Sequence, residues 1–237
     1  MNRNKDFAGF LGQALDLLGA NIAAVLVFVL VLGGLSSFGL MAGFIEESDT
    51  FASFGFSFIV DATDSLASVA YEIGVAIITI VASYLLLARF LESAGRLRDT
   101  ETRIWAYVGM AILSGLAIAL GFVLLIVPGL ILMVRWSAAS GFLIGARRGV
   151  TESLGASWEA TRGYSWPIFF AGVVLLIGVV VVGGALGGAV GFAGNDLAIA
   201  IVSSVAEAAS SAIFLAFGIG VYLLLQDDAE EIGEVFA

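Results

Sequence analysis

The chain has 237 residues, of which 60% are hydrophobic and only 13% are charged, a composition too apolar for a soluble domain and typical of an integral membrane protein. It contains no cysteine and no histidine, which excludes disulfide frameworks, thiolate nucleophiles, the usual zinc sites and imidazole acid-base catalysis. The net charge of -10 leaves no basic face for nucleic acid, so we expect no nucleic-acid partner. We expect no cofactor either.

Six stretches are long and apolar enough to cross a bilayer as helices. The first follows two basic residues, as a signal peptide would, but its charge-free run from Leu17 to Ile45 is too long for a signal sequence. The sequence therefore predicts an all-α integral membrane protein, a bundle of six spans. The spans are expected at 21–45, 67–88, 104–127, 129–146, 166–191 and 198–225.

Two shorter segments are amphipathic, with apolar residues at helical spacing. In the first, this face comprises Phe7, Phe10, Leu11, Ala14, Leu15 and Leu18. In the second it comprises Val150, Leu154, Trp158 and Thr161. We expect both segments to lie as helices in the cytoplasmic interface; the alternative is that each extends the span that follows it.

The basic residues fall on one side of these spans. Apart from Arg135, they precede the first span or lie between the second and third or the fourth and fifth: Arg3, Lys5, Arg89, Arg96, Arg98, Arg103, Arg147, Arg148 and Arg162. The charged residues of loops 46–66 and 192–197 are all acidic. The positive-inside rule predicts that both termini are cytoplasmic, in a prokaryotic cytoplasmic membrane. Four phenylalanines in loop 46–66 are expected to anchor it at the bilayer surface; a lid over a ligand is the alternative.

We expect one membrane domain, with an interfacial helix and two spans in 1–88, a central hairpin in 104–146, a second interfacial helix and two spans in 147–225, and an acidic tail in 226–237. Leu11-Gly12 parallels Leu154-Gly155, and a Tyr-Leu-Leu-Leu sequence begins at both Tyr84 and Tyr222. These matches indicate a parallel internal repeat, although apolar sequences also match by chance.

Ionisable residues inside spans are candidates for function because a charge at the bilayer centre is costly. At 1.5 Å per residue from the outer end, Glu72 lies about 7 Å deep, Arg135 about 9 Å and Glu207 about 14 Å. One interpretation is that Arg135 forms a buried ion pair with either acid. Others are that Arg135 holds an anionic headgroup from the outer leaflet, or that its side chain reaches towards the interface.

Pro128 and Gly129 are predicted to form the turn between the third and fourth spans, because proline interrupts the helical hydrogen-bond ladder and glycine tolerates a turn. Small residues also recur in the fifth span. Their spacing predicts a helix-packing face: Gly183, Gly184, Gly187, Gly188 and Gly191.

Residues 121–170 carry a recognisable pattern. An apolar run ends in Val127-Pro128-Gly129, followed by Val134-Arg135-Trp136-Ser137, by Ser157-Trp158-Glu159 and by Thr161-Arg162-Gly163. This pattern resembles the glycerophosphoryl diester phosphodiesterase membrane domain family. Ala146 stands where that family often has an acid.

The enzymes that give the family its name have a separate soluble hydrolase domain relying on histidines and metal-binding carboxylates. The resemblance therefore implies an accessory membrane unit, with Pro128, Gly129, Trp136, Ser157, Trp158 and Gly163 as structural residues. We expect a non-enzymatic module that interacts with the bilayer, with an anionic lipid or with a membrane protein. The alternative is a small proton-coupled permease with a site at Arg135, Glu72 and Glu207.

Overall fold

The computed structural model describes residues 5–44, 65–97, 101–192 and 196–235, and within these ranges it contains helices and no strands. The loop predicted at 46–66 falls almost wholly outside the described residues, and so do residues 193–195 of the loop predicted at 192–197. The helices are α1 (Phe7–Ala20), α2 (Ile22–Met41), α3 (Leu66–Ser93), α4 (Ile104–Leu124), α5 (Ile126–Arg135), α6 (Ala139–Ile144), α7 (Val150–Ala160), α8 (Ser165–Gly191) and α9 (Asp196–Val235).

Six candidate membrane spans occur in the described ranges, which confirms the predicted all-helical class and six-span plan. They are α2, α3, α4, the pair α5 and α6, α8, and the part of α9 from Leu197 to Gln226. Helices α1 and α7 have 14 and 11 residues, too short to cross roughly 30 Å of hydrocarbon. Their interfacial position and the internal repeat stay predictions.

The chain divides into two compact units. The first unit comprises Met1–Ile22, Tyr84–Leu175 and Ile213–Ala237. The second unit comprises Ala23–Ser83 and Leu176–Ala212. Each is described on its own below.

In the first unit, α1 is anchored at both ends. Asp6 caps its start, since the carboxylate accepts a 2.8 Å hydrogen bond from the Gly9 N–H. At its end, buried Asn21 donates to the Leu17 carbonyl at 2.9 Å and to the Ser93 hydroxyl at 2.8 Å, which ties α1 to the end of α3. The buried face of α1 agrees with the predicted one in part: Phe10 and Ala14 are fully buried as expected, whereas Phe7 and Leu15 are 51% and 59% exposed.

The core of the first unit is built mainly by side chains from α3, α6 and α9. Its fully buried members include Leu87, Phe90, Leu91, Leu143, Ile219, Val221 and Tyr222. The Tyr222 ring meets Phe142 edge-on, with ring centres 5.0 Å apart. It also lies directly over Gly141, where any side chain would overlap it.

Helices α4 and α5 form a hairpin in which Gly121 faces Gly129. A Cβ placed on Gly121 would lie 2.9 Å from the Gly129 backbone, so the two helices meet through bare main chain. The chain reverses at Leu125, whose backbone is extended. The prediction that Pro128 and Gly129 form the turn is therefore wrong by three residues. Proline fits the first turn of α5, where its missing N–H has no intrahelical partner to lose.

In the second unit, α2 packs closely on the first half of α9. A Cβ on Gly33 would lie 3.1 Å from the Val205 Cα. Helices α2 and α3 are joined by Tyr71, whose hydroxyl donates a 2.6 Å hydrogen bond to the Leu35 carbonyl. The packing face predicted on α8 is found only in part. A Cβ on Gly183 would lie 3.8 Å from the Ala206 Cβ of α9, and one on Gly191 would lie 4.0 Å from Ile199, whereas the other three glycines have no described neighbour within 4 Å: Gly184, Gly187 and Gly188.

Candidate functional site

The fourth span is broken immediately after Arg135. Helix α5 ends there and α6 starts at Ala139, and the intervening residues form a turn. In a continuous helix the Ala139 N–H would bond to the Arg135 carbonyl, but it bonds to the Trp136 carbonyl at 3.0 Å. The Arg135 carbonyl is thereby released from the helical ladder.

Helix α7 supplies a partner for that carbonyl. The Ser157 hydroxyl donates to the Arg135 oxygen at 2.7 Å. Thr161 lies 3.4 Å from the same oxygen, but its shorter bond, 2.8 Å, is to the Ser157 carbonyl. Both side chains are completely buried. Irregular backbone within a membrane protein persists only where it is shielded and hydrogen-bonded, and α7 provides both.

Helix α9 closes over the same break with a glycine. A Cβ on Gly218 would lie 2.8 Å from the Ser137 carbonyl oxygen, so only a glycine lets the two backbones approach this closely. The break is thus covered by hydroxyl side chains of α7 and by the main chain of α9 at Gly218, all within the first unit.

The Arg135 side chain, in contrast to its backbone, is half-buried and reaches Trp158. Its guanidinium carbon lies 5.1 Å from the centre of the indole ring, and Nη1 donates a long, 3.3 Å hydrogen bond to the Trp158 carbonyl. This geometry combines a cation–π contact with the negative, carboxyl-terminal end of α7.

No carboxylate of the described part of the first unit forms an ion pair with Arg135. The pairs found there include Arg89 with Glu92, Arg147 with Glu101 and Arg162 with Glu159. The last of these lies in the final turn of α7 and just beyond it, and both side chains are largely exposed. The positive charge of Arg135 is therefore met by a ring face and a carbonyl, and no carboxylate among the described side chains of its unit pairs with it.

Glu72 and Glu207 lie in the second unit, which contains none of the ten lysines and arginines. Their pairing with Arg135 stays a prediction. The predicted depth of Arg135 changes, because α5 begins at Ile126 and not at Gly129. Arg135 is therefore about 14 Å along the fourth span, not about 9 Å.

The residues of the family-like pattern fall in the first unit. Trp136 is the first residue of the break, and its N–H bonds to the Leu132 carbonyl at 2.9 Å. Gly163 lies in the turn between α7 and α8 with φ of +89°, a backbone conformation that residues other than glycine rarely adopt. Arg135, Ser157 and Trp158 are in direct contact, so residues far apart in sequence form one site.

The buried face of α7 matches the predicted one only in part, since Leu154 and Thr161 are buried as expected and Trp158 is not. Ser153, Leu154, Ser157 and Thr161 are buried, whereas Trp158 is 37% exposed and carries Arg135. The spacing of four residues between Ser153, Ser157 and Thr161 could have indicated the buried face, because buried hydroxyls can bond to carbonyls of their own helix and still reach a neighbouring helix. Ser153 does the former, donating to the Gly149 carbonyl at 2.7 Å.

Among the described residues, no three acidic side chains converge in a way that could hold a metal ion. Comparisons with protein-family models, with curated proteins and with solved structures found no match to this chain.

Proposed function

We propose that this protein is a non-enzymatic, multi-pass module of a prokaryotic cytoplasmic membrane that holds an anionic lipid by its headgroup phosphate at Arg135. The observation that carries the proposal is the guanidinium itself, which lies at the edge of α7 and is paired with no carboxylate among the described side chains of its unit. Arginine presents a planar fork of donors that matches a phosphate, and only one of its N–H groups is engaged, by a long bond.

The surroundings of Arg135 suit a headgroup better than a lipid tail. Glu159 and Arg162 are exposed on the neighbouring turn of α7, which indicates that this end of the helix meets water or headgroups. The half-exposed indole of Trp158 suits the same boundary, since tryptophan favours the interface. Because α7 follows the fourth span, the predicted topology assigns the lipid to the cytoplasmic leaflet, whereas the sequence suggested the outer one.

The decisive experiment is native mass spectrometry of the protein released from nanodiscs that contain phosphatidylcholine and phosphatidylglycerol. We expect phosphatidylglycerol to be retained selectively by the unaltered protein. Arg135→Gln should weaken retention about ten- to a hundredfold, the worth of a charge-assisted hydrogen bond. Arg135→Lys should be intermediate, because it keeps the charge but loses the fork.

The matched control is Arg89→Gln, which removes the same charge from an exposed pair with Glu92. It should leave retention unchanged. Equal loss in both variants, or retention of phosphatidylcholine to the same extent as phosphatidylglycerol, would refute a specific site at Arg135. Binding of inorganic phosphate at Arg135 without retention of phosphatidylglycerol would show that the site binds a free anion and not a lipid.

A further inference from the structure

Helix α9 carries a polar stripe within its membrane-spanning part. Ser203, Glu207 and Ser211 follow one another at four-residue intervals, so their side chains share a face over about 12 Å. All three are exposed, and all three belong to the second unit. The stripe is independent of the lipid site proposed at Arg135.

The three side chains differ from neighbouring serines in their hydrogen bonding. Ser204 donates to the Ala200 carbonyl at 2.9 Å, and Ser210 donates to the Ala206 carbonyl at 2.6 Å. Ser203, Glu207 and Ser211 form no hydrogen bond and no ion pair in the described part of their unit. Their polar groups therefore point outward and are available.

Hydrocarbon is a poor environment for this face. A carboxylate in contact with lipid near the middle of a span is strongly disfavoured, and intramembrane carboxylates normally face a partner or water. The second unit offers no internal partner of opposite charge, since its ionisable residues are all acids: Glu46, Glu47, Asp49, Asp61, Asp64, Glu72, Asp196 and Glu207.

This charge distribution favours a positively charged ligand over a negatively charged one. A unit with acids and no lysine or arginine attracts cations and repels anions, and low-dielectric surroundings strengthen the effect. The loops predicted to face the outside, 46–66 and 192–197, belong to the same unit.

We propose that Ser203, Glu207 and Ser211 line a water-accessible path for a small cation, with Glu207 as its binding carboxylate and the two serines as flanking hydroxyl ligands. On the topology predicted from the sequence, the path opens to the outer side of the membrane. A cation there exchanges water for carboxylate and hydroxyl oxygens, the ligands that hard cations prefer.

Because the chain has no cysteine, single-cysteine variants test the path without background. Ser203→Cys and Ser211→Cys are reconstituted in liposomes and treated with water-soluble methanethiosulfonates that carry either a trimethylammonium or a sulfonate group. Both variants should be modified. After normalisation to a free thiol in solution, the cationic reagent should react about tenfold faster, because a carboxylate lies one turn away.

Ile201→Cys is the matched control, since Ile201 is 40% exposed at nearly the same depth but lies about 200° around the helix from Ser203. It should be inert to both reagents. Equal reaction at Ile201→Cys and Ser203→Cys would overturn the path, and so would inertness of both serine variants. Oxidative cross-linking of Ser203→Cys into dimers, without modification, would show instead that a second copy covers the stripe.

Glu207→Gln in the Ser203→Cys background separates charge from access. Modification should persist while the roughly tenfold preference for the cationic reagent falls towards one; an unchanged preference would show that Glu207 is not the binding carboxylate. Flux into liposomes then identifies the cation, with a pH-sensitive dye for protons and radioactive sodium or rubidium for alkali ions. Flux of none of these, or equal flux through the Glu207→Gln variant, would contradict the proposal.

Discussion

The hydroxyl of Ser157 donates a 2.7 Å hydrogen bond to the carbonyl oxygen of Arg135, joining two residues 22 positions apart in the chain. The carbonyl is free to accept it because the fourth span breaks at that point. One hydroxyl thus secures both the end of α5 and the position of α7. The Arg135 side chain is placed against Trp158 by the same contact between the two helices.

Ser157→Ala should destabilise the protein by about 1–2 kcal/mol, because it leaves the Arg135 carbonyl without its best partner in a buried position. The free energy of unfolding, measured by titrating mixed micelles with a denaturing detergent, reports the change. Ser153→Ala is the control: Ser153 is equally buried on the same helix, but its hydroxyl serves only its own helix. Equal losses in the two variants would show that the bond to Arg135 has no special importance.

Gly121→Ala should separate the two helices of the α4–α5 hairpin. The added methyl group would lie 2.9 Å from the Gly129 backbone, which cannot move aside as a side chain could. We expect a loss of about 1–3 kcal/mol in the same unfolding assay. Gly115→Ala on the same helix meets nothing within 4 Å and should be neutral or slightly stabilising. A neutral Gly121→Ala would contradict the close approach of the two backbones.

Arg103→Gln should loosen the junction between α4 and the end of α6. Nη1 of Arg103 donates to the Leu143 carbonyl at 3.0 Å and to the Arg148 carbonyl at 2.9 Å, so it closes a loop of more than 40 residues. Removing it should cost about 1.5 kcal/mol, the low end for charged hydrogen bonds, since one partner is exposed. Arg89→Gln, which breaks only an exposed pair, should change stability by less than about 0.5 kcal/mol.

Fusion reporters test the predicted orientation. A fluorescent protein that folds only in the cytoplasm should be active at either terminus, and alkaline phosphatase, which needs export, should be inactive there. Phosphatase inserted within loop 46–66 should be active. An active phosphatase at either terminus would invert the topology on which the cytoplasmic position of the Arg135 site depends.

The spans were predictable because about 20 consecutive apolar residues leave a helix as the main way to satisfy the backbone in lipid. The site was predictable only in part. Arg135, Ser157 and Trp158 stood out in the sequence, but the break after Arg135 depends on hydroxyls that arrive from another helix. The local sequence at residues 136–138 does not predict that break.

The turn at Leu125 shows that a strong local sequence signal can also mislead. Proline and glycine were the strongest local signals, yet proline is also accepted in the first turn of a helix, and here it occupies that position. Gly129 does not form the turn but allows α4 and α5 to approach each other closely. In the second unit, the sequence singled out Glu207 but not its neighbours, since Ser203 and Ser211 differ from Ser204 and Ser210 only in the direction they face.

The apolar tip of the hairpin bears on how the protein reaches the membrane during synthesis. Its residues are among the most exposed in the first unit: Val123, Leu124, Leu125, Ile126 and Val127 are each 64–82% exposed, and none carries a charge. Loops 46–66 and 192–197 carry acidic side chains, which on the predicted topology must be moved across the hydrocarbon during insertion. The tip at Leu125 presents no such obstacle, so the α4–α5 hairpin can partition sideways from the translocon into lipid as one preformed unit, without help from the membrane potential.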